Sequence, residues 1–378
     1  MKQKRLTFLL LLISNLFCAS AQKWYKPEID LKVEELLSQM TVEEKLGYIG
    51  GIDWMYTKSI DRLGIHRMRM SDGPQGIGTK GKSTAYPATV TLAATWNENL
   101  AYQYGKALGR DCRARNINVI LGPAVNIYRA PMCGRNFEYM GEDPYLTSRI
   151  CVGYIKGVQD QGVMATVKHF VANNSDYDRN NISNDIDERT LNEIYFPAYK
   201  AAIQEAEVGA IMTSYNLMNG IYTTENPWLL KEVLRNQWGF KGLVMSDWGS
   251  THYCVPAARS GLDLEMAGGE KMNPKDMAYY LKTGDVTMDM VDEKVRHILR
   301  ILIAFGFKDG TEADKSIALD DPQSVETALN VAREGLVLLK NENNILPIHP
   351  HKHNQIIFLP SQKRELALLD KKKNRHAS

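Results

Sequence analysis

Short apolar runs that end on a polar residue recur along the chain. They are HRMRMSDGP (66–74), INVILGPAVNI (117–127), VMATVKHFVAN (163–173), VGAIMTSYN (208–216), GLVMSDWGS (242–250) and GLDLEMAG (261–268). Between them lie amphipathic segments, 97–115, 145–161, 188–207 and 226–238, which read as helices. Strands alternating with helices predict a parallel sheet. The six visible units predict an α/β fold of the TIM-like (β/α)8 barrel type, with a strand missing or irregular. A doubly wound open sheet is the competing arrangement, but no Gly-rich nucleotide fingerprint follows any of the runs.

The flanks are also patterned. Residues 30–40 read as a helix, and Thr41-Val42-Glu43-Glu44 reads as a capping box opening a second one. Residues 288–305 carry Val291, Val295, Ile298, Leu299 and Leu302 on one stripe. Residues 309–323 are polar and turn-rich, a helix is predicted over 324–335, and 335–348 reads as a strand, a turn and an extended piece.

At the N-terminus, Lys2, Lys4 and Arg5 precede an apolar run from Leu6 to Phe17, and Ala19-Ser20-Ala21 follows. This predicts an export signal over 1–21, cleaved after Ala21, and a periplasmic or secreted protein. A retained anchor is the alternative, but the run is short for a membrane span. Phe17 is large for a lipid-attachment site at Cys18. Domains are therefore expected as 22–308, the barrel; 309–348, a linker and the approach to a second domain; and 349–378, a basic tail that is disordered or frameshifted. The alternating His349, His351 and His353 of that tail have no further ligand nearby, so no metal site is expected.

Composition adds exclusions. With 46 Lys and Arg against 44 Asp and Glu, the net charge is +2, and the charge is mixed along the chain. Nothing calls for a nucleic-acid partner or for stable membrane insertion. Cys112, Cys133, Cys151 and Cys254 show no metal-ligand spacing and read as buried, unpaired thiols.

In a parallel barrel the strand ends face one mouth. Asp72, Asn126, Lys168, His169, Tyr215, Asn216, Asp247 and Glu265 would therefore converge there. Any one of them could be a cap, a loop residue or an ion-pair partner; convergence of the set points to a site. Donors such as Arg135, Lys168 and His169 and acceptors such as Asp72 suit a polyhydroxyl ligand, and the indole of Trp248 offers a flat apolar face to a sugar ring. Asp247 could act as a nucleophile, kept ionised by Arg135, Lys168 and His169 if they lie close. A glycosidase needs a second carboxyl. Glu138, Glu142, Asp143 and Glu265 qualify by chemistry, and none is marked out.

These stretches resemble glycoside hydrolase family 3, the family of exported β-glucosidases and their relatives. The resemblance rests on SDGPQG (71–76), GRNFEYMGEDP (134–144), KHFVANN (168–174), IMTSYN (211–216), GFKGLVMSDWGSTH (239–252) and GLDLEMAG (261–268), in family order. It implies a TIM-like barrel and a retaining hydrolase of terminal non-reducing β-D-glucosyl residues, working in carbohydrate catabolism without cofactor or metal. Its substrate would be a small β-glucoside or oligosaccharide. Asp247 would be the nucleophile. Asp72 would bind sugar hydroxyls, Arg135, Lys168, His169 and Tyr215 would line the same subsite, Met212 and Met245 would pack near it, and Trp248 would sit against the sugar. Glu138, Glu142 and Asp143 would be structural partners, and Glu265 would close the pocket or pair with a base.

Two departures from the family pattern matter. Its N-acetylhexosaminidases carry a His-containing loop soon after the KHF segment, whereas VANNSDYDRNN (171–181) has no His. In its glucosidases the acid/base glutamate comes from a second, α/β sandwich domain, and FLPSQKRELALLDKKKNRHAS (358–378) does not resemble the expected continuation. A truncated or frameshifted reading frame is therefore expected, with self-association through an exposed domain-docking face. The alternatives are a sugar-binding barrel with little turnover, and a β-xylosidase or other glycosidase specificity.

Overall fold

The computed structural model describes residues 24–78 and 82–347. The segments expected to be a signal (1–21) and a basic tail (349–378) lie outside the described residues. The chain divides into two units, Met1–Leu336 and Val337–Ser378.

In the first unit five parallel strands neighbour one another in chain order: β1 (Met70–Asp72), β2 (Val119–Leu121), β3 (Met164–Phe170), β4 (Ala210–Thr213) and β5 (Leu243–Met245). Each falls inside one of the apolar runs. All seven residues of β3 are buried, as expected of a sheet covered on both faces. The order 1-2-3-4-5 leaves no point at which strand order reverses, so the doubly wound alternative is not the fold seen.

Single bridges carry the pattern onward. Met245 pairs with Leu264 and Glu265 with Gly50, both parallel; Ile52 pairs with Tyr56 and Tyr56 with Arg69, both antiparallel, which leads back to the residue before β1. The sixth run, 261–268, thus contributes bridges rather than a regular strand. One of its own side chains competes with a ladder: the Val244 amide donates to Asp263 Oδ2 at 2.8 Å.

The helices begin where their caps stand. Thr41 and Glu44 form the expected capping box. Asn97 caps helix 98–113 and Asp143 caps helix 144–159. These two helices meet closely. A Cβ at Gly157 would lie 2.1 Å from Tyr102 O, and one at Gly105 would lie 2.1 Å from Tyr154 O. Overpacking against backbone costs about 1–3 kcal/mol, more than the ~1 kcal/mol that alanine gains over glycine in a helix. Gly157→Ala is therefore expected to lower the urea midpoint. A raised midpoint would show that the helices separate without cost.

Helices 288–304 and 322–334 complete the unit, close to their predicted bounds. Among the described residues, Cys112, Cys133, Cys151 and Cys254 are unpaired. Burial pushes the Cys112 and Cys151 thiols well up, which keeps them unreactive. In the second unit, residues 337–347 hold a 3-10 turn at Glu342–Asn344. The strand predicted early in 335–348 is not formed: its amides and carbonyls have no ladder partner among the described residues.

Candidate active site

β5 delivers Asp247 two residues beyond its last residue, and Ser246 N is still held by Leu264 O at 3.0 Å. Asp247 as a whole is only 6% exposed. Its Oδ1 accepts from the Trp248 amide at 2.7 Å. Its Oδ2 meets no donor at hydrogen-bonding geometry, though Arg135 Nη1 lies 3.6 Å and His169 Nε2 3.5 Å away. One oxygen is thus fastened and the other is left available beside a cation.

β3 brings Lys168 and His169 to the same mouth. Asn126 holds His169 by its backbone, accepting from the amide at 2.9 Å and donating to the carbonyl at 2.9 Å. Arg135 Nη2, which can only donate, is 2.7 Å from His169 Nε2. Nε2 must therefore accept, which leaves the proton on Nδ1, 3.3 Å from Asn126 Oδ1. This is a neutral imidazole. Burial, then Arg135 and Lys168, hold its pKa well below the ordinary histidine range.

That corrects one expectation and qualifies another. His169 adds no positive charge beside Asp247. Burial pushes the Asp247 carboxyl above the usual carboxylate range, and Arg135, Lys168 and the Trp248 amide offset this only in part.

Lys168 is buried and lies 3.4 Å from Asp72 Oδ1 and 3.6 Å from Glu138 Oε2. Arg135 Nε donates to the other Glu138 oxygen, Oε1. Glu138 therefore orients both cations. Glu142 is exposed, Asp143 caps a helix, and Glu265 binds loop amides rather than a base.

Asp72 ends β1 with a side chain 62% exposed. It opens on a cavity of about 570 Å³ that is also lined by Gly76, Arg135, Phe137, Glu138 and Lys168. Tyr215 donates to Trp248 O at 3.1 Å, and burial followed by the nearby Asp247 charge raises its pKa. Trp248 is half-buried rather than open, and its Nε1 donates to Trp54 O at 2.8 Å. Met212 and Met245 lie in the core beneath.

Two residues of the site escaped the sequence reading. The Arg179 guanidinium stands 4.1 Å over the Tyr215 ring, a cation–π contact at the mouth. Its only sequence signal was a cation in the polar loop after β3. Trp54 fixes the Trp248 indole through its backbone oxygen, which no side-chain pattern reveals.

The cavity thus holds Asp72, Arg135 and Lys168 in its wall, and Arg135 reaches on to a buried carboxylate with one oxygen free of donors. The sequence profile of the glycosyl hydrolase family 3 N terminal domain matches residues 41–301. The chain belongs to that family. It is 42% identical over 333 residues to a β-glucosidase of Rhizobium radiobacter, covering 86% of this chain and 41% of the relative. It is 39% identical to thermostable β-glucosidase B of Acetivibrio thermocellus, covering 84% of this chain and 43% of the relative. Among solved structures, it superimposes on β-glucosidase 3B from Thermotoga neapolitana in complex with α-D-glucose with a TM-score of 0.78 at 35% identity, covering 84% of this chain and 48% of that one. The β-glucosidase of Kluyveromyces marxianus in complex with glucose gives a TM-score of 0.79 at 36% identity, covering 84% and 40%. The chain thus spans less than half the length of these relatives.

Proposed function

We propose that this chain carries the nucleophile and the sugar subsite of a retaining β-glucosidase acting on terminal non-reducing β-D-glucosyl residues. The observation that carries the reading is Asp247 Oδ2, buried, without a hydrogen-bond donor and next to Arg135. Relatives named β-glucosidase and structures holding glucose support the sugar.

In this mechanism Asp247 Oδ2 attacks the anomeric carbon as the bond to the leaving oxygen breaks. Water then attacks the glycosyl ester and returns the carboxylate. Asp72 accepts from sugar hydroxyls, while Lys168 and Arg135 donate to others. Neutral His169 accepts from Arg135 and holds it in place.

The pH profile tests the electrostatics. The nucleophile must be ionised, so the acid limb of kcat/KM on an aryl β-glucoside is expected above the ~3.9 of an ordinary aspartate. Arg135 favours the ionised form. Arg135→Met is therefore expected to move the limb higher still, and Arg135→Lys to move it less. A limb at or below the ordinary value would contradict the buried-carboxylate reading.

The second reading, a sugar-binding barrel with little turnover, draws on the neighbouring carboxyls: Asp72 and Glu138 are both paired with Lys168. Export is proposed from the N-terminal pattern alone, and the N-terminal sequence of the mature protein, expected to begin at Gln22, tests it.

A further inference from the structure

The wall of the cavity next to Asp72 is a tight backbone loop, 73–78. A Cβ at Gly73 would lie 1.7 Å from Gly76 O, and Gly76 sits at φ +130°. The loop rests on tyrosines from behind. Tyr104 and Tyr154 both donate to Pro74 O, at 3.1 and 3.3 Å. Tyr86 packs on Tyr104 with ring centroids 4.8 Å apart, and its amide donates to Gln75 O at 3.1 Å.

Tyr86 is fastened in turn. Its hydroxyl donates to Asp111 Oδ2 at 2.9 Å. Asp111, on helix 98–113, is fully buried, and no cation contacts its carboxylate at ion-pair distance among the described residues. Its other oxygen, Oδ1, accepts from Ser324 Oγ at 2.9 Å. Ser324 is also fully buried, on helix 322–334. That helix is held at both ends: Asp321 pairs with Arg110 at 2.7 Å, and Glu334 accepts from Asn97 at 2.8 Å. A buried carboxylate with hydroxyl donors alone is costly, and an apolar residue would pack there more cheaply. Here it joins Tyr86 to helix 322–334 in the interior, whereas the nearby Lys82–Asp320 pair, at 3.9 Å, is exposed to solvent.

We infer that Asp111 is a positioning residue that ties helix 322–334 to the cavity wall, so that the seating of this helix sets the seating of the loop beside Asp72. Naming that cavity a sugar pocket rests on the proposed function; the mechanical tie does not.

Amide exchange on the purified chain tests the tie without sugar. Ser324→Ala removes one donor that does not itself line the cavity. The amides of Gly78 and Tyr86, bonded to Asp72 O and Gln75 O, are expected to exchange about tenfold faster or more. Those of Ile120 and Ile211 in the sheet are expected to keep their rates. Ser324→Thr, which keeps the hydroxyl, restores protection. Coupling is reciprocal, so Tyr86→Phe is expected to speed exchange at Val325. Changes confined to helix 322–334 in the first variant, or spread evenly through the sheet, would overturn the inference. In a second arm, D-glucose affinity measured by calorimetry is expected to weaken in Ser324→Ala. If the unaltered chain bound no glucose while Gly78 and Tyr86 still responded, the tie would stand and the sugar reading would fail.

Discussion

Asp247→Ala is expected to lower kcat/KM on 2,4-dinitrophenyl β-glucoside by roughly 10⁴–10⁶-fold, the range for loss of one essential member of a covalent constellation. The substrate is chosen because its leaving group needs no proton, so the assay reads the attacking carboxylate alone. Arg135 keeps Glu138 as a partner when Asp247 is removed, so the surrounding ion pairs survive and the variant is expected to fold. An unchanged KM would place the loss in the chemical step. A loss of less than tenfold would mean that another group attacks, or that water does so unaided.

The leaving group gives the second large effect. On the purified 378-residue polypeptide, cellobiose is expected to lag behind the dinitrophenyl glucoside by about 10²–10⁴-fold beyond their intrinsic difference in reactivity. The reason lies in the carboxyls of the described site. Glu138 is held between Arg135 and Lys168, Asp72 is paired with Lys168, and Glu265 is bound to the loop amides of Lys271 and Met272. Each of these is already engaged by a cation or by backbone amides. Lag of the expected size, with the aryl activity lost in Asp247→Ala, would support a nucleophile working without its proton donor. Equal turnover of both substrates would show that one of these carboxyls serves as the acid.

Much of the site was legible because strand polarity places chemistry. A parallel sheet sends every strand end the same way, so Asp72, His169, Tyr215 and Asp247 could be grouped before any distance was known. Glu138 was grouped with Glu142 and Asp143 as a structural partner, and only the folded chain singles it out, between Arg135 and Lys168. The charge state of His169 was not legible. It depends on Arg135 facing one ring nitrogen and Asn126 the other, contacts made across 34 and 43 residues. The balance on Asp247 was misjudged for a related reason: a sequence shows which charges are available, but not how much water is excluded from them. The irregular sixth strand hid behind an apolar pattern because the Asp263 side chain takes a sheet amide, that of Val244, out of the ladder. Asp111 drew no attention at all. On a helix an acid usually faces solvent, and only the packing of helix 322–334 puts this one in the interior.

The central claim is that Asp247 forms a covalent bond to the sugar. Incubation with 2,4-dinitrophenyl 2-deoxy-2-fluoro-β-glucoside, whose fluorine slows breakdown of the intermediate, should leave one fluoroglucosyl group per chain. Mass spectrometry of the digested protein should find it on Asp247. A label on any other residue, or no label on a chain that turns over the parent glucoside, would contradict the account.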